Sequence, residues 1–425
     1  MKRLDQRIAS SAWALLPVAL ACCSGVAHAE TPLSLAVSET LTYDSNVLRD
    51  DRFKRRDLVS TTGVRLGVEK DYGRQNYRAS VQGILQRYKN SKEYDNDGFE
   101  AELAFSTELG RRWFIGAEHT RSRSLQDLGQ QGTTRQRELI DSAYTVVNVR
   151  YGLGGWWSLT GSFSSDEQTY DFNTTQDRES RGLRLGVRYN FTDLKYIDVG
   201  VRRSSSEFPR LIVIDSSGTA ATNSNFGRLT IGEDIRRTDL DVQGGWTITG
   251  YSALTGRVSY ADERHEPDLL RSYKGLTWRV NWRYSPSGKM TYTLALDRDT
   301  NDSGGNATTV RTTTGTTLGS RAQDRLSTTI TASARWLMTS KTSSSLQLTH
   351  RRIQESSSLT SRGGTTDSAE SQDGRYVALN LGLRWAPTRT LAFDCSLGTY
   401  ERSESLFSLG YSGETAACTA ALTFD

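Results

Sequence analysis

The chain has 425 residues, 36% of them hydrophobic, and a formal net charge of +4. This length allows one large domain or two ordinary ones. The near-balance of 53 basic and 49 acidic residues argues against nucleic acid as a partner.

The N-terminus has the pattern of a secretory signal peptide. Three basic residues within the first seven positions precede an apolar run from Ser11 to Val26, and Ala-His-Ala at 27–29 matches a cleavage site. We therefore divide the chain into a signal peptide at 1–29 and a mature domain at 30–425. A lipoprotein interpretation through Cys22 or Cys23 is weaker, because the leucine before Cys22 lies one position from its usual place.

The mature domain shows an alternation of apolar and polar residues that is typical of β-strands. After residue 29 no apolar run approaches the roughly 20 residues of a helical span, which excludes a helical inner-membrane protein. In 379–385, LNLGLRW, apolar residues alternate with asparagine, glycine and arginine, and 276–283, LTWRVNWR, repeats the pattern. This period of two predicts strands with one apolar and one polar face.

Eight short turns divide the alternating segments into hairpins. In chain order they lie at Tyr72-Gly73, Gly110-Arg111, Gly152–Gly155, Thr192-Asp193, Gly250-Tyr251, Pro286–Gly288, Thr339–Lys341 and Pro387-Thr388. Longer polar segments separate them, at 44–57, 90–97, 125–137, 171–177, 207–228, 265–271, 302–321, 357–370 and 403–410. With one further strand at each end, 35–43 and 411–424, the pattern predicts eighteen strands.

These strands predict an all-β fold, a transmembrane antiparallel up-and-down β-barrel of about 18 strands. In hydrocarbon the backbone polar groups of a strand need partners on both sides, so the sheet must close. An even strand count puts both termini on one side, which we expect to be the periplasm. We therefore expect the protein in the outer membrane of a Gram-negative bacterium.

The tryptophans support the barrel. Of the eight in the mature domain, all except Trp278 lie within about four residues of a short turn. Such clustering is typical of the aromatic girdle at one rim of a membrane barrel. A soluble β-sandwich or propeller would explain the alternation but not this clustering.

The polar face of each strand predicts the lining of an aqueous lumen, unless the loops at 207–228 and 302–321 fold inward. The candidate path residues are Arg78, Arg150, Arg184, Arg188, Arg202, Arg257, Arg279, Arg283, Arg335, Arg384, Tyr88, Tyr144, Tyr273 and Tyr376. Arginines would attract anionic solutes, and aromatic faces would stack on sugars. Alternatively, the arginines pair with acidic residues and form a solvated wall.

The two cysteines of the mature domain predict a disulfide. Cys395 and Cys418 are equally distant from the middle of the last loop and share the apolar parity. A regular hairpin would place them opposite each other, close enough to bond.

Nothing in the sequence points to catalysis, a metal or a cofactor. We expect no enzyme, because the three histidines of the mature domain do not share a site. His119 and His350 have lipid-facing parity, and His265 is predicted to lie in a loop.

The segment LTYDSNVLR at Leu41–Arg49, with the turns at Tyr284–Gly288 and Trp385–Thr388, resembles the EpsL-like outer-membrane barrels of exopolysaccharide operons. The resemblance covers the mature domain in architecture, and its transferable motif is Tyr43, Asp44, Ser45 and Asn46. It implies a pore or accessory component for secretion of an extracellular polysaccharide. The implied partners are the polysaccharide chain, a periplasmic polysaccharide-export protein and outer-membrane lipid.

Two other functions remain open at this point. The first is a general or anion-selective diffusive porin. The second is a structural or adhesive barrel whose loops bind an external partner.

Overall fold

The wall of the protein is a single closed sheet in the computed structural model. The structure describes residues 33–128, 136–192, 194–209, 212–214, 228–230, 233–266, 272–300, 310–312, 315–317, 320–360, 366–405 and 409–424. The predicted signal peptide lies outside the described residues, as do most of the loops at 207–228 and 302–321.

Eighteen long strands form this wall. They are β1 (Leu33–Asp44), β2 (Asp57–Tyr72), β3 (Gln75–Tyr88), β4 (Asn96–Leu109), β5 (Trp113–Leu125), β6 (Leu139–Tyr151), β7 (Trp157–Tyr170), β8 (Arg178–Thr192), β9 (Lys195–Phe208), β12 (Glu233–Thr249), β13 (Ser252–Glu266), β14 (Tyr273–Ser287), β15 (Met290–Thr300), β18 (Ser320–Leu337), β19 (Thr342–Thr360), β20 (Thr366–Trp385), β21 (Leu391–Arg402) and β22 (Tyr411–Phe424). Outside the wall, β10 (Ile212–Ile214) pairs with β11 (Arg228–Thr230), and β16 (Val310–Thr312) pairs with β17 (Gly315–Thr317). Two 3₁₀ helices span Lys92–Tyr94 and Thr174–Gln176.

The register confirms the predicted up-and-down barrel. Each wall strand pairs antiparallel with the next wall strand along the chain. Because the short strands lie outside the wall, β9 pairs with β12 and β15 pairs with β18. The ring closes where β1 pairs with β22, from Leu35 opposite Phe424 to Asp44 opposite Thr415. All eight predicted short turns connect hairpins at one rim, which we call the turn end, and the opposite rim is the loop end.

Glycine is required in two of these turns. Gly73 after β2 and Gly110 after β4 have φ of 63° and 61°, in the left-handed region that glycine adopts without steric cost.

The outer face of the barrel is apolar, as the alternation predicted. On β20, Leu379, Leu381, Leu383 and Trp385 are 41%, 52%, 50% and 50% exposed, although each is strongly hydrophobic. At the turn end Trp385 stacks on Phe393, with ring centroids 5.5 Å apart. Large apolar side chains with this exposure need lipid around them, because water would strongly disfavour such a surface.

Several strands extend into the segments predicted as loops. Strand β19 continues to Thr360 and strand β20 begins at Thr366, which shortens the loop predicted at 357–370. His265 lies within β13 rather than in a loop, because β13 continues to Glu266 opposite β12. In the described part of the chain, no helix has both the length and the hydropathy to span a membrane.

Candidate functional site: the lumen wall and the loop end

The predicted path residues lie on the inner face of the wall. Arg184, for example, lies between Leu183 and Leu185, which are 52% and 64% exposed on the outer face. The same parity in the register puts the others on the inner face: Arg78, Arg150, Arg188, Arg202, Arg257, Arg279, Arg283, Arg335, Arg384, Tyr88, Tyr144, Tyr273 and Tyr376.

Arg184 is held in a buried ion-pair network rather than presented to solutes. Its Nη2 lies 2.5 Å from Asp198 and its Nε 2.9 Å from Asp241, and Thr160 accepts a further hydrogen bond. The Arg184 side chain is 7% exposed and the two carboxylates are 1% and 0% exposed. Buried charges of this kind are stable only while their oppositely charged partners are present, because an uncompensated buried charge is strongly destabilising.

Two glycines make room for this network. A Cβ at Gly200 would lie 2.7 Å from Nη2 of Arg184, and one at Gly186 would lie 2.7 Å from a carboxylate oxygen of Asp198. The guanidinium therefore lies flat against the backbone of β8 and β9.

A second network centres on Arg237, which is not among the predicted path residues. Its guanidinium lies 2.9 Å from Asp239 and 2.8 Å from Asp299, and Asp299 also contacts Arg257 at 3.4 Å. The inward parity of Arg237, two positions before Asp239, is the signal that could have identified it.

Two further arginines lie over aromatic rings. The guanidinium of Arg188 is 3.9 Å from the ring centre of Tyr196 and also contacts Asp198 at 3.3 Å. Arg150 lies 5.9 Å from the ring centre of Phe114. Stacking of this kind orients the planar guanidinium along the wall.

The remaining predicted arginines divide into exposed pairs and unpaired side chains. The exposed pairs are Arg78–Glu69, Arg279–Asp297 and Arg384–Asp394, at 3.0, 2.6 and 3.3 Å. Arg283 and Arg335 are exposed, and Arg202 is half-buried. None of these three has an acidic partner within salt-bridge distance among the described residues.

The predicted tyrosines differ in how much ring they expose. Tyr144 is 41% exposed toward the lumen, whereas Tyr88 is 7% exposed within an apolar cluster. Tyr376 packs against Tyr400 and its neighbours, and Tyr273 donates a hydrogen bond to the carbonyl of Leu276. Tyr144 therefore offers the most accessible stacking surface of the four.

The motif at 43–46 anchors the first loop to the inside of the loop end. Asp44 accepts hydrogen bonds from Tyr400 Oη and Arg49 Nη1, both at 2.7 Å. Asn46 is 0% exposed and donates from Nδ2 to the carbonyl of Ser412 at 3.0 Å. These contacts join the two ends of the chain, because they connect β1 and its loop to β21 and β22.

Arg49 is the centre of this anchor. It has a φ of 55°, unusual for a residue other than glycine, and its guanidinium lies 4.2 Å from the ring centre of Tyr400. Burial disfavours its charged form, but the adjacent Asp44 carboxylate outweighs burial and raises the pKa of Arg49. The side chain therefore stays charged and holds the loop.

Apolar side chains from the first three loops complete the anchor. Val47 and Leu128 are 8% and 5% exposed and pack with Tyr88 and Tyr94. Tyr43, the remaining large residue of the motif, faces outward and is 42% exposed.

Cys395 and Cys418 lie directly opposite each other on β21 and β22, as predicted. Their Cα atoms are 4.1 Å apart and their sulfur atoms are bonded. Both face outward, in register with Leu383 and Leu41.

The histidines are dispersed over the wall. His119 on β5 shares a hydrogen bond of 2.8 Å with Thr145, and His265 lies 3.1 Å from Glu263 on β13. Within the described ranges, no group of three His, Cys, Asp or Glu side chains is placed to hold a metal ion.

The closed ring, the exposed apolar outer face and the polar inner face together place the protein in the outer membrane. Only closed barrels and helices satisfy backbone polar groups in lipid, and such barrels are the architecture of the Gram-negative outer membrane.

No family model matches the chain, and no curated protein matches it in sequence. Its wall is similar to solved structures at low identity. A mutant of the ferric enterobactin receptor PfeA from Pseudomonas aeruginosa is 9% identical, with 94% of this chain and 81% of that chain covered and a TM-score of 0.46. The siderophore receptor PirA from Acinetobacter baumannii is 7% identical, with coverages of 94% and 81% and a TM-score of 0.45. The outer membrane protein OpdK from Pseudomonas aeruginosa is 11% identical, with coverages of 92% and 99% and a TM-score of 0.43. Identities this low carry no functional residue over to this chain.

Proposed function

We propose that this protein is an aqueous channel through which small hydrophilic solutes diffuse across the outer membrane. The observation that carries the proposal is a closed wall of eighteen strands whose inner face presents exposed, charged side chains such as Glu118, Arg283 and Arg335. A ring of this size measures about 35 Å between opposite backbones. Exposed charges on its inner face keep water in the lumen.

The contacts that such a channel makes with a solute are weak. Arg184 and Arg237 already have their carboxylate partners within the wall, so they do not hold a passing anion. Weak contacts are what a conducting pathway requires, because a solute must leave as readily as it enters.

Reconstitution of the folded barrel tests this function. In planar bilayers we expect ohmic conductance in steps, and in liposomes we expect swelling with small sugars that decreases as the sugar becomes larger. Protein denatured before reconstitution is the control. A correctly assembled barrel that neither conducts nor permits swelling would overturn the proposal.

A second candidate function is passage of an extracellular polysaccharide. The exposed ring of Tyr144 on the inner face favours it, because aromatic faces stack on sugar rings. The resemblance of Leu41–Arg49 to the EpsL-like barrels supports the same function and implies a periplasmic polysaccharide-export protein as partner.

Deletion of the gene separates the two functions. Polymer that accumulates in the periplasm, with normal uptake of small solutes, would favour export. Unchanged surface polymer with slower uptake of small solutes would favour the diffusive channel. In the export case Tyr144→Ala is expected to reduce surface polymer, whereas the buried Tyr88 gives no comparable contact surface.

A further inference from the structure

Most charges on the inner face neutralise each other, but one sector retains unpaired acids. Four lumen-facing carboxylates are exposed and have no cationic partner within salt-bridge distance among the described residues. They are Asp71 on β2, Glu100 and Glu108 on β4, and Glu118 on β5. We call these four residues the acidic lane.

A different sector retains unpaired arginines. Three lumen-facing arginines are exposed and, within the described part of the chain, have no acidic partner within salt-bridge distance. They are Arg283 on β14, Arg335 on β18 and Arg351 on β19, the last of which donates a hydrogen bond to Thr329. We call these three residues the basic lane.

The two lanes lie on opposite sides of the lumen. Around the ring, β18 is the ninth strand from β5, which is half of eighteen. Strand β19 is adjacent to β18 and β14 lies two strands from it, whereas on the other wall β4 is adjacent to β5 and β2 lies three strands from it.

Both lanes also cover the same height. Asp71 and Glu108 lie one residue from the turn end of their strands, and Arg335 lies two residues from it. Glu100 lies nine residues into the barrel from Leu109, the turn-end residue of β4. Arg351 lies nine residues into the barrel from Thr342, the turn-end residue of β19. Each lane therefore rises from the turn end to the middle of the wall.

The width of the lumen keeps the lanes independent. At about 0.15 M salt the Debye length is about 8 Å, much less than the roughly 35 Å between opposite backbones. At this separation the salt screens the charges of each wall from ions near the other wall, so the acidic lane would attract cations and the basic lane would attract anions independently.

We propose that the lumen conducts along two separate lanes, with cations passing along the acidic lane and anions along the basic lane. This inference rests on the proposed channel function. It assigns selectivity to the unpaired charges and none to the buried networks of Arg184 and Arg237.

Reversal potentials in a KCl gradient test the two lanes. The unchanged channel should discriminate weakly between the ions. Combined exchange of Arg283→Ser, Arg335→Ser and Arg351→Ser should raise the K⁺/Cl⁻ permeability ratio by about threefold, and exchange of the four acids to their amides should lower it similarly. Both shifts should fade near 1 M salt, where the Debye length is about 3 Å.

A matched control removes a charge pair rather than an unpaired charge. The double variant Arg65→Ser with Glu102→Ser, a lumen-facing pair of β2 and β4 at 3.9 Å, should leave the permeability ratio unchanged. If a combined variant does not assemble, the single changes Glu118→Gln and Arg335→Ser must shift the ratio in opposite directions. If the variants conduct but their K⁺/Cl⁻ permeability ratio is unchanged, or if both ratios shift in the same direction, the proposal of two lanes is overturned and the channel function is not. If the protein without substitutions does not conduct, the proposed channel function itself is overturned.

Discussion

The guanidinium of Arg184 occupies the space that a side chain at position 200 would need, since Nη2 lies 2.7 Å from the Cβ position of Gly200. The carbonyl of Leu185 lies at the same distance on another side. A methyl group at this position must therefore displace the arginine or the backbone, and with it the contacts to Asp198 and Asp241.

We expect Gly200→Ala to lower the free energy of unfolding by about 1–3 kcal/mol. Denaturant unfolding of the barrel in lipid vesicles measures this loss. Gly83→Ala is the matched control, because a Cβ at Gly83 would meet nothing within 4 Å. Equal stability of the two variants would show that Arg184 can move aside without cost.

Burial, rather than distance, decides the stability that each lumen ion pair contributes. Removing the carboxylate in Asp241→Ala leaves Arg184 and Arg188 to share Asp198, so the buried cluster carries an uncompensated positive charge, which is expected to cost about 3–5 kcal/mol. Removing it in Asp297→Ala breaks a shorter contact, but the 65% exposed side chain of Arg279 then returns to water. The expected cost there is below about 1 kcal/mol. Unfolding measurements that rank the two variants in the opposite order would contradict this account.

Asn46 is expected to control how firmly the first loop is held. In Asn46→Ala the half-buried carbonyl of Ser412 and the buried amide of Asp50 both lose a hydrogen-bond partner. An unsatisfied buried group costs about 1–3 kcal/mol. Amide hydrogen exchange over 45–56 should therefore become about tenfold faster or more.

The half-buried Asn76 at the turn end provides the control, since Asn76→Ala removes only a solvent-exposed hydrogen bond to the exposed Asp71. Exchange in the first loop should not change in that variant. Unchanged exchange in Asn46→Ala as well would mean that Asp44, Arg49 and Tyr400 hold the loop without it.

The alternation of residue types was sufficient to predict the wall. A period of two assigns each side chain to one face, so the eighteen strands, the eight turns and the position of Cys395 opposite Cys418 followed from local spacing. The inward parity of the arginines followed in the same way.

The partners of those arginines could not be predicted in this way. Arg184 meets Asp241 across two strand boundaries and 57 positions of sequence, and Arg49 meets Tyr400 only because β1 closes on β22. Such contacts depend on the register of every intervening strand. From the sequence, paired and unpaired arginines therefore remained alternatives, and the structure contains both.

Glu39 is a carboxylate on the lipid-facing side of β1, between Val37 and Leu41, which are 37% and 49% exposed. Its two oxygens accept hydrogen bonds from Ser60 and Thr62 on β2, at 2.5 and 2.6 Å. Because lipid disfavours a charged group, we expect Glu39→Leu to raise the free energy of unfolding in lipid vesicles by about 1–2 kcal/mol. Glu39→Gln, which removes the charge and retains an acceptor, should give a smaller gain. A loss of stability in Glu39→Leu would mean that this side of the barrel does not face lipid, because in lipid the leucine would be the better neighbour.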